Sequence, residues 1–233
     1  MPPRLLVGAV FGATPLAERF ERAGHTVRPL DIHDDPGAVA HVDLVLLDGP
    51  SADIRAACER VADHARPRQM FLHTALEEGQ QLLDDVETSH AITMCAHNIF
   101  DNVWVTSAAD ELGETVVGLL VAEIGGMSLR IDDASRPLIA AAQELRAMES
   151  VVRDDVLELL TQAVPGFESV AQQFLAAPPA QRGAHTPAEL ERLVRALPDA
   201  GTRRLFVELA RRRGELEQDT DTELWVMQKY EGG

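Results

Sequence analysis

The chain is poor in aromatic residues, in lysine and in cysteine, and it has no long apolar run. Aromatics make up only 4% of its 233 residues, so the core must be built from Leu, Val and Ala. Basic residues number 21 against 38 acidic ones, a formal charge of −17. That deficit disfavours nucleic acids and anionic membrane surfaces as partners, because such binding rests on Lys and Arg neutralising phosphates. All but one of the basic residues are arginine, with Lys229 the exception, which reads as coding bias rather than function. Cys58 and Cys95 are too few and too far apart for a disulfide framework or a zinc ribbon. Both lie in apolar runs, as inert thiols of a reducing cytoplasm do, and a cytoplasmic protein is expected. No segment approaches the roughly 20 apolar residues of a membrane span. The N-terminal apolar run is broken by glycines and continues into an amphipathic helix, unlike a targeting signal. No two His or Cys sit at ligand spacing on one helix, so no metal is expected.

What is present is an alternation. Strand-like runs occur at 5–7, 26–32, 43–47, 69–73, 91–95, 103–106 and 128–131. Helical spacing of apolar residues fills several of the gaps: Leu16, Phe20 and Ala23; Ile54, Cys58 and Val61; Leu112, Val116, Leu119 and Leu120. Strands separated by helices imply an α/β fold with a doubly wound, mostly parallel sheet, since parallel neighbours need a crossover. Pro29 removes a ladder donor and should end the second strand early. After Asp132-Asp133 strand signals stop. A helical pattern opens at Ser135-Arg-Pro137 and runs to about Val164, a length unusual inside a small domain and more usual in a packing spine or a dimer element. Thr186-Pro-Ala-Glu189 is a capped helix start. Two domains are expected, 1–133 and an all-helical 134–233.

The opening segment is the sharpest motif. A dinucleotide fingerprint, G-x-G-x-x-G after a strand, uses its first Gly for the tight turn, its second for close approach of the pyrophosphate and its third for helix packing. Gly8 can serve as the first, but Val10 and Ala13 hold the other two places, with Phe11 and an extra Gly12 between them. If Thr14 caps the following helix, Pro15 takes its first position and offers no N–H to a phosphate. Glu18 and Glu21 oppose an anion there, and Asp48 adds a further negative charge at the same sheet edge. Two readings stand: a loop that binds NAD or NADP weakly or in altered register, and an inherited turn without a ligand.

The run Leu16-Ala-Glu-Arg-Phe-Glu-Arg-Ala-Gly-His-Thr-Val27 resembles the first helix and second-strand entry of a Rossmann-like group related to pyrroline-5-carboxylate reductase and 6-phosphogluconate dehydrogenase. Val42-Asp-Leu-Val-Leu-Leu47 with Pro50 and Ile54, Met70-Phe-Leu-His-Thr74, and Arg136-Pro-Leu138 are similar in the same order, over residues 4–160. The resemblance implies a Rossmann domain binding NAD(P), a dimerising helical domain, an active site between them, and oxidoreduction of a small carbonyl, imine or hydroxy acid. It also shows departures. Ile139, Ala140 and Met148 stand where the group has a Tyr-His pair and an Asn, Ala75-Leu76 replaces a Ser-Gly, and His97-Asn98 replaces a His-Pro. The competing expectation is a cofactor-free scaffold with a binding or assembly role.

Candidate residues follow from position. Gly8, Val10, Phe11, Gly12, Ala13 and Thr14 form the loop, with Asp48 and Pro50 after the third strand. Asp31, 23 residues past Gly8, fits the acid that bonds an adenosine ribose and would favour NAD; an exposed acidic loop with His33, Asp34 and Asp35 explains it equally well. His73 and His97 each follow an apolar strand, at the edge where open α/β folds bind ligands, and imidazole is the proton donor suited to carbonyl or imine reduction. Either could instead be a strand-end histidine bonded to backbone. The basic run Arg203 to Arg213 alternates with Leu205, Phe206 and Leu209, the outer face of an amphipathic helix that pairs with the acidic stretch 215–223 within or between subunits, with phosphate binding as the alternative.

Overall fold

The run Leu44-Val-Leu-Leu47 shows how the N-terminal half is layered. In the computed structural model, which describes residues 4–178 and 185–231, this run is strand β3 (Leu44–Leu47), buried along its whole length. Leu44 and Leu46 join one apolar cluster, Val45 and Leu47 another, because successive side chains point to opposite faces. A strand covered on both sides belongs inside a helix-sandwiched parallel sheet. The other strands are β1 (Leu6–Ala9), β2 (Thr26–Pro29), β4 (Met70–His73), β5 (Ile92–Phe100), β6 (Val103–Ala108) and β7 (Met127–Arg130). The spatial order is β2-β1-β3-β4-β5-β6-β7. Every pair is parallel except β5 and β6.

Helices α1 (Pro15–Arg22) and α4 (Glu111–Glu123) cover one face with Leu16, Phe20, Val117 and Leu120. Helices α2 (Ser51–Val61) and α3 (Asp84–Glu87) cover the other with Ile54, Cys58, Val61 and Val86. Phe20 is completely buried, a side chain whose burial is worth about 2–3 kcal/mol. The strand order reverses at β1, with β2 on one side and β3 on the other. The loops after β1 and β3 therefore flank the switch-point crevice where such sheets hold ligands.

All seven expected strands form, and β2 stops at Pro29. The surprise is β5. The apolar pattern predicts an end at Cys95, but the strand runs five residues further to Phe100 and returns antiparallel as β6. The reversal is made at Asp101, whose φ of 44° lies in the left-handed region that Asp tolerates.

Helix α5 (Arg136–Ala163) is 28 residues long. The chain divides into two compact units within it, Met1–Arg146 and Ala147–Gly233, whereas the change of sequence texture at 133 marks where the strands end. The second unit adds α6 (Ala171–Ala176), α7 (Pro187–Ala196), α8 (Ala200–Glu217) and α9 (Thr220–Glu231). Its small core is Leu190, Trp225 and Val226, with Val194, Phe206 and Val207 against them. The start of α7 is the expected capping box: Thr186 and Glu189 bond each other's backbone N–H. The basic run lies on α8, where Arg211, Arg212 and Arg213 pair with Glu208, Glu215 and Glu217 of the same helix. Such exposed pairs contribute only a few tenths of a kcal/mol each. Along α5 the apolar Leu138 and Leu145 are 75% and 68% exposed. Among the described residues no helix is long and apolar enough to cross a membrane.

Candidate active site

The first helix decides what the glycine loop can do. Thr14 caps α1, its hydroxyl accepting from the Ala17 N–H, and Pro15 occupies the first turn. The N–H groups that a helix normally turns towards a phosphate thus begin after the loop, with one of them removed. The turn itself is made at Gly12, whose N–H bonds the Ala9 carbonyl and whose φ is +77°. Gly8 does not make that turn, contrary to the fingerprint. It lies within β1, paired to Arg28 and Val45, and a Cβ there would meet Leu30 Cδ1 at 2.3 Å and Val42 Cγ2 at 3.1 Å. Its role is to let the end of β2 close on the sheet.

The loop residues divide among different surroundings. Val10 and Phe11 pack against the α2-side core and line an outer cavity of about 360 Å³ with Ile32, His33, Asp53 and Arg60. Gly12 and Ala13 face a hollow of about 130 Å³ on the other side, beside Glu18 and Glu21. Asp31 folds onto its own loop, its carboxylate accepting from the His33 and Asp34 N–H groups. Pro50 precedes α2, and its carbonyl accepts from Ile54.

Asp48 and His97 come together with Thr74 and Asn98, the polar neighbours of the two strand-end histidines, and with Arg19 and Trp104, which carry no functional signal in the sequence. They line an inner cavity of about 250 Å³ with Pro15, Leu16, Arg19, Thr74, Asn98 and Trp104. The Thr74 hydroxyl donates to Asp48 at 2.8 Å. His97 Nδ1 lies 2.8 Å from the Thr74 carbonyl. A carbonyl can only accept, so this ring nitrogen carries the proton, and in neutral imidazole Nε2 holds the lone pair. Arg19 is fixed by the Asn102 amide oxygen and the Asp101 carbonyl, with its guanidinium 5.6 Å from the Trp104 ring centre. These interactions exist because β5 overruns the sheet edge and carries His97 and Asn98 with it. The Asp-Asn turn at 101–102 was the available sequence signal for that hairpin. A larger hollow, of about 420 Å³, lies at Arg19, Arg22, Asn102 and Glu123. It holds none of the residues expected to bind or react, so the inner cavity is the better candidate.

His73 is placed elsewhere. It is fully buried, and neither ring nitrogen makes a well-formed hydrogen bond, the Gly79 backbone giving only a weak contact. Burial, with the nearby positive charge of Arg136, pushes its pKa down to about 3. Arg136, itself 2% exposed, donates to Asp133 at 2.7 Å, to the Ser107 hydroxyl at 2.5 Å and to Cys95 Sγ at 3.2 Å. Burial raises the Asp133 pKa, but bonds from Arg136, the Gln80 N–H and Ser107 outweigh it and hold the carboxyl below its ordinary range. Burial pushes the thiols of Cys58 and Cys95 up to about 12 and 11, which makes both unreactive. This polar cluster ties the start of α5 to the sheet. Its only sequence signal was Arg136 at a helix start.

Residues 132–229 match a family described as 6-phosphogluconate dehydrogenase C-terminal domain-like. No curated protein matches the sequence. Solved structures match the fold at low identity. An inferred NADP oxidoreductase from Bacteroides fragilis is 14% identical, with 91% of this chain and 98% of that one covered and a TM-score of 0.63. A reductive aminase from Aspergillus terreus, solved with an NADPH derivative, cyclohexanone and allyl amine, is 14% identical over 98% and 99%, with a TM-score of 0.58. Pyrroline carboxylate reductase from Plasmodium falciparum, solved with NADP, is 8% identical over 98% and 97%, with a TM-score of 0.53. The expected resemblance therefore holds for the fold: a Rossmann-like sheet followed by a helical region.

Proposed function

We propose that this protein is a cytoplasmic NAD(P)-dependent oxidoreductase acting on a small carbonyl, imine or hydroxy acid, with His97 moving the proton. The observation that carries the reading is the linked set Asp48, Thr74 and His97 at the carboxyl edge of the sheet. It fixes one tautomer of a half-buried imidazole beside a cavity able to take a small organic molecule. In reduction, the nicotinamide supplies hydride when bound. His97 in its charged form gives the proton from Nε2 to the developing alkoxide or amine, and the Thr74 carbonyl keeps the ring oriented. In the reverse direction neutral Nε2 accepts it. His73 lies outside this scheme because it is buried among Arg136 and its partners. The names of the fold neighbours and of the matched family support the reaction class, and they leave the substrate open.

The exposed Leu138 and Leu145 of α5 support a homodimer formed through the helical part. A second reading, a cofactor-free scaffold, is favoured by Pro15 at the helix start and by Glu18 and Glu21 beside the loop. Thermal shift with NADH and NADPH separates the two, because a ligand well above its Kd must raise the Tm. An unshifted Tm at millimolar concentrations of both would sink the oxidoreductase reading. If a cofactor binds, H97Q is expected to lower kcat and leave cofactor affinity unchanged. Equal loss of both would place His97 in nucleotide binding instead.

A further inference from the structure

The switch-point crevice lies between the loop after β1 and the loop after β3. One side chain bridges these two loops. The ring of Phe11, two residues past β1, lies on the backbone of Gly49, two residues past β3. A Cβ built at Gly49 would stand 2.8 Å from Phe11 Cδ2 and 3.0 Å from both Cε2 and Cγ. Only a glycine leaves room for the ring there. Beyond the ring, towards α2, is the outer cavity of Val10, Ile32, His33, Asp53 and Arg60. The inner cavity of Asp48, Thr74 and His97 is separate from it, and Phe11 does not line it. A dinucleotide laid across this crevice must pass from one cavity to the other, with its pyrophosphate beside the start of α1. Because the ring lies on the Gly49 backbone, it spans the two loops that such a ligand must cross.

The outer cavity is complete without the passage. Val10, Phe11 and Ile32 give apolar walls for a flat base, Asp53 can accept from ribose hydroxyls, and Arg60 forms no ion pair among the described residues. Its volume lies in the range of small-ligand sites.

We propose that Phe11 determines which adenine nucleotide the crevice accepts. With the ring on Gly49, the outer cavity takes an adenine mononucleotide such as AMP. NADH or NADPH enters only when the ring swings off Gly49. The proposal rests on the oxidoreductase reading, and it adds that the chain holds its dinucleotide weakly because the open form is scarce. Apparent affinity falls by the fraction of molecules in the competent form. No residue of the fingerprint has to bind differently for this to hold, since the obstruction is one rotatable side chain.

The test is calorimetric affinity for AMP, NADH and NADPH in wild type, F11A and F11L, with circular dichroism and Tm confirming that each is folded. The ratio of dinucleotide to AMP affinity is the readout, because both ligands share the outer cavity and feel its altered wall alike. If the open form is a tenth or less of the population, the ratio rises about ten-fold or more in F11A. F11L keeps the apolar packing with a shorter reach, so its ratio is expected between wild type and F11A. Dinucleotide binding with an unchanged ratio in folded F11A and F11L overturns the gate and leaves the oxidoreductase reading standing. Wild type that already binds NADPH far more tightly than AMP overturns it too. Failure of NADH and NADPH to bind even F11A overturns both.

Discussion

Replacing His73 by Leu should remove one steep component of the acid sensitivity of the sheet-bearing unit. The folded-state pKa of about 3 lies far below the ordinary histidine value near 6.5. Below pH 6.5 the unfolded chain therefore binds a proton that the folded chain refuses, and stability falls as pH falls. The loss is about 1.4 kcal/mol per pH unit, fully developed only below 6.5 and continuing towards pH 3. Between pH 6.5 and 4.5 it reaches about 2–3 kcal/mol, a large share of the roughly 5–15 kcal/mol that holds a domain together. In H73L the component is absent. Contributions from Asp133 and other carboxylates are shared by both proteins and drop out of the difference. Above pH 7.5 the difference should be flat. There Leu fills a similar volume and removes two ring nitrogens that make no well-formed hydrogen bond, so the variant should be no less stable than wild type. The assay is urea unfolding from pH 4.5 to 8 in a Trp225→Phe background, so that the buried Trp104 reports on the unit that holds His73. Parallel pH curves for the two proteins would refute the reasoning. They would mean that the His73 ring is protonated in the folded state at its ordinary pKa.

Gly8→Ala should destabilise the N-terminal unit by about 1–3 kcal/mol, the usual result of overpacking, because its Cβ would overlap Leu30 Cδ1. A Tm equal to wild type would show that β2 can withdraw without cost. Leu145→Glu places a charge on a side chain that is 68% exposed in the single chain. If α5 forms the dimer interface, sedimentation should show a dimeric wild type and a monomeric variant with unchanged helicity. A wild type that stays monomeric at every concentration would refute the interface.

Much of the fold was legible because its signals are local. Strand and helix periods mark β1, β3 and β4, Pro29 ends β2, and Thr14 and Thr186 cap their helices. The overrun of β5 was not, because His97 and Asn98 break the apolar pattern by which a buried strand is recognised. Outside the sheet core a strand has no buried face to require that pattern. The candidate site was half legible for the same reason. Asp48 and His97 were visible as polar residues at strand ends, whereas Arg19 and Trp104 join them only through the returning hairpin. His73 and His97 have the same local sequence character, and only burial separates a histidine held neutral beside Arg136 from one facing a cavity.

The opening loop draws the line between the two sources. Sequence alone determined the α/β class, the change to helices after residue 133, and the departure of the glycine loop from the dinucleotide fingerprint, since these depend on residue type, order and spacing. Which glycine turns and which one packs was decided by distance: Gly8 lies against Leu30, Gly12 carries the positive φ, and Gly49 receives the Phe11 ring. Two of these three placements join residues more than twenty positions apart. Only the closed sheet brings the loops after β1 and β3 close enough for one aromatic ring to span the crevice between them.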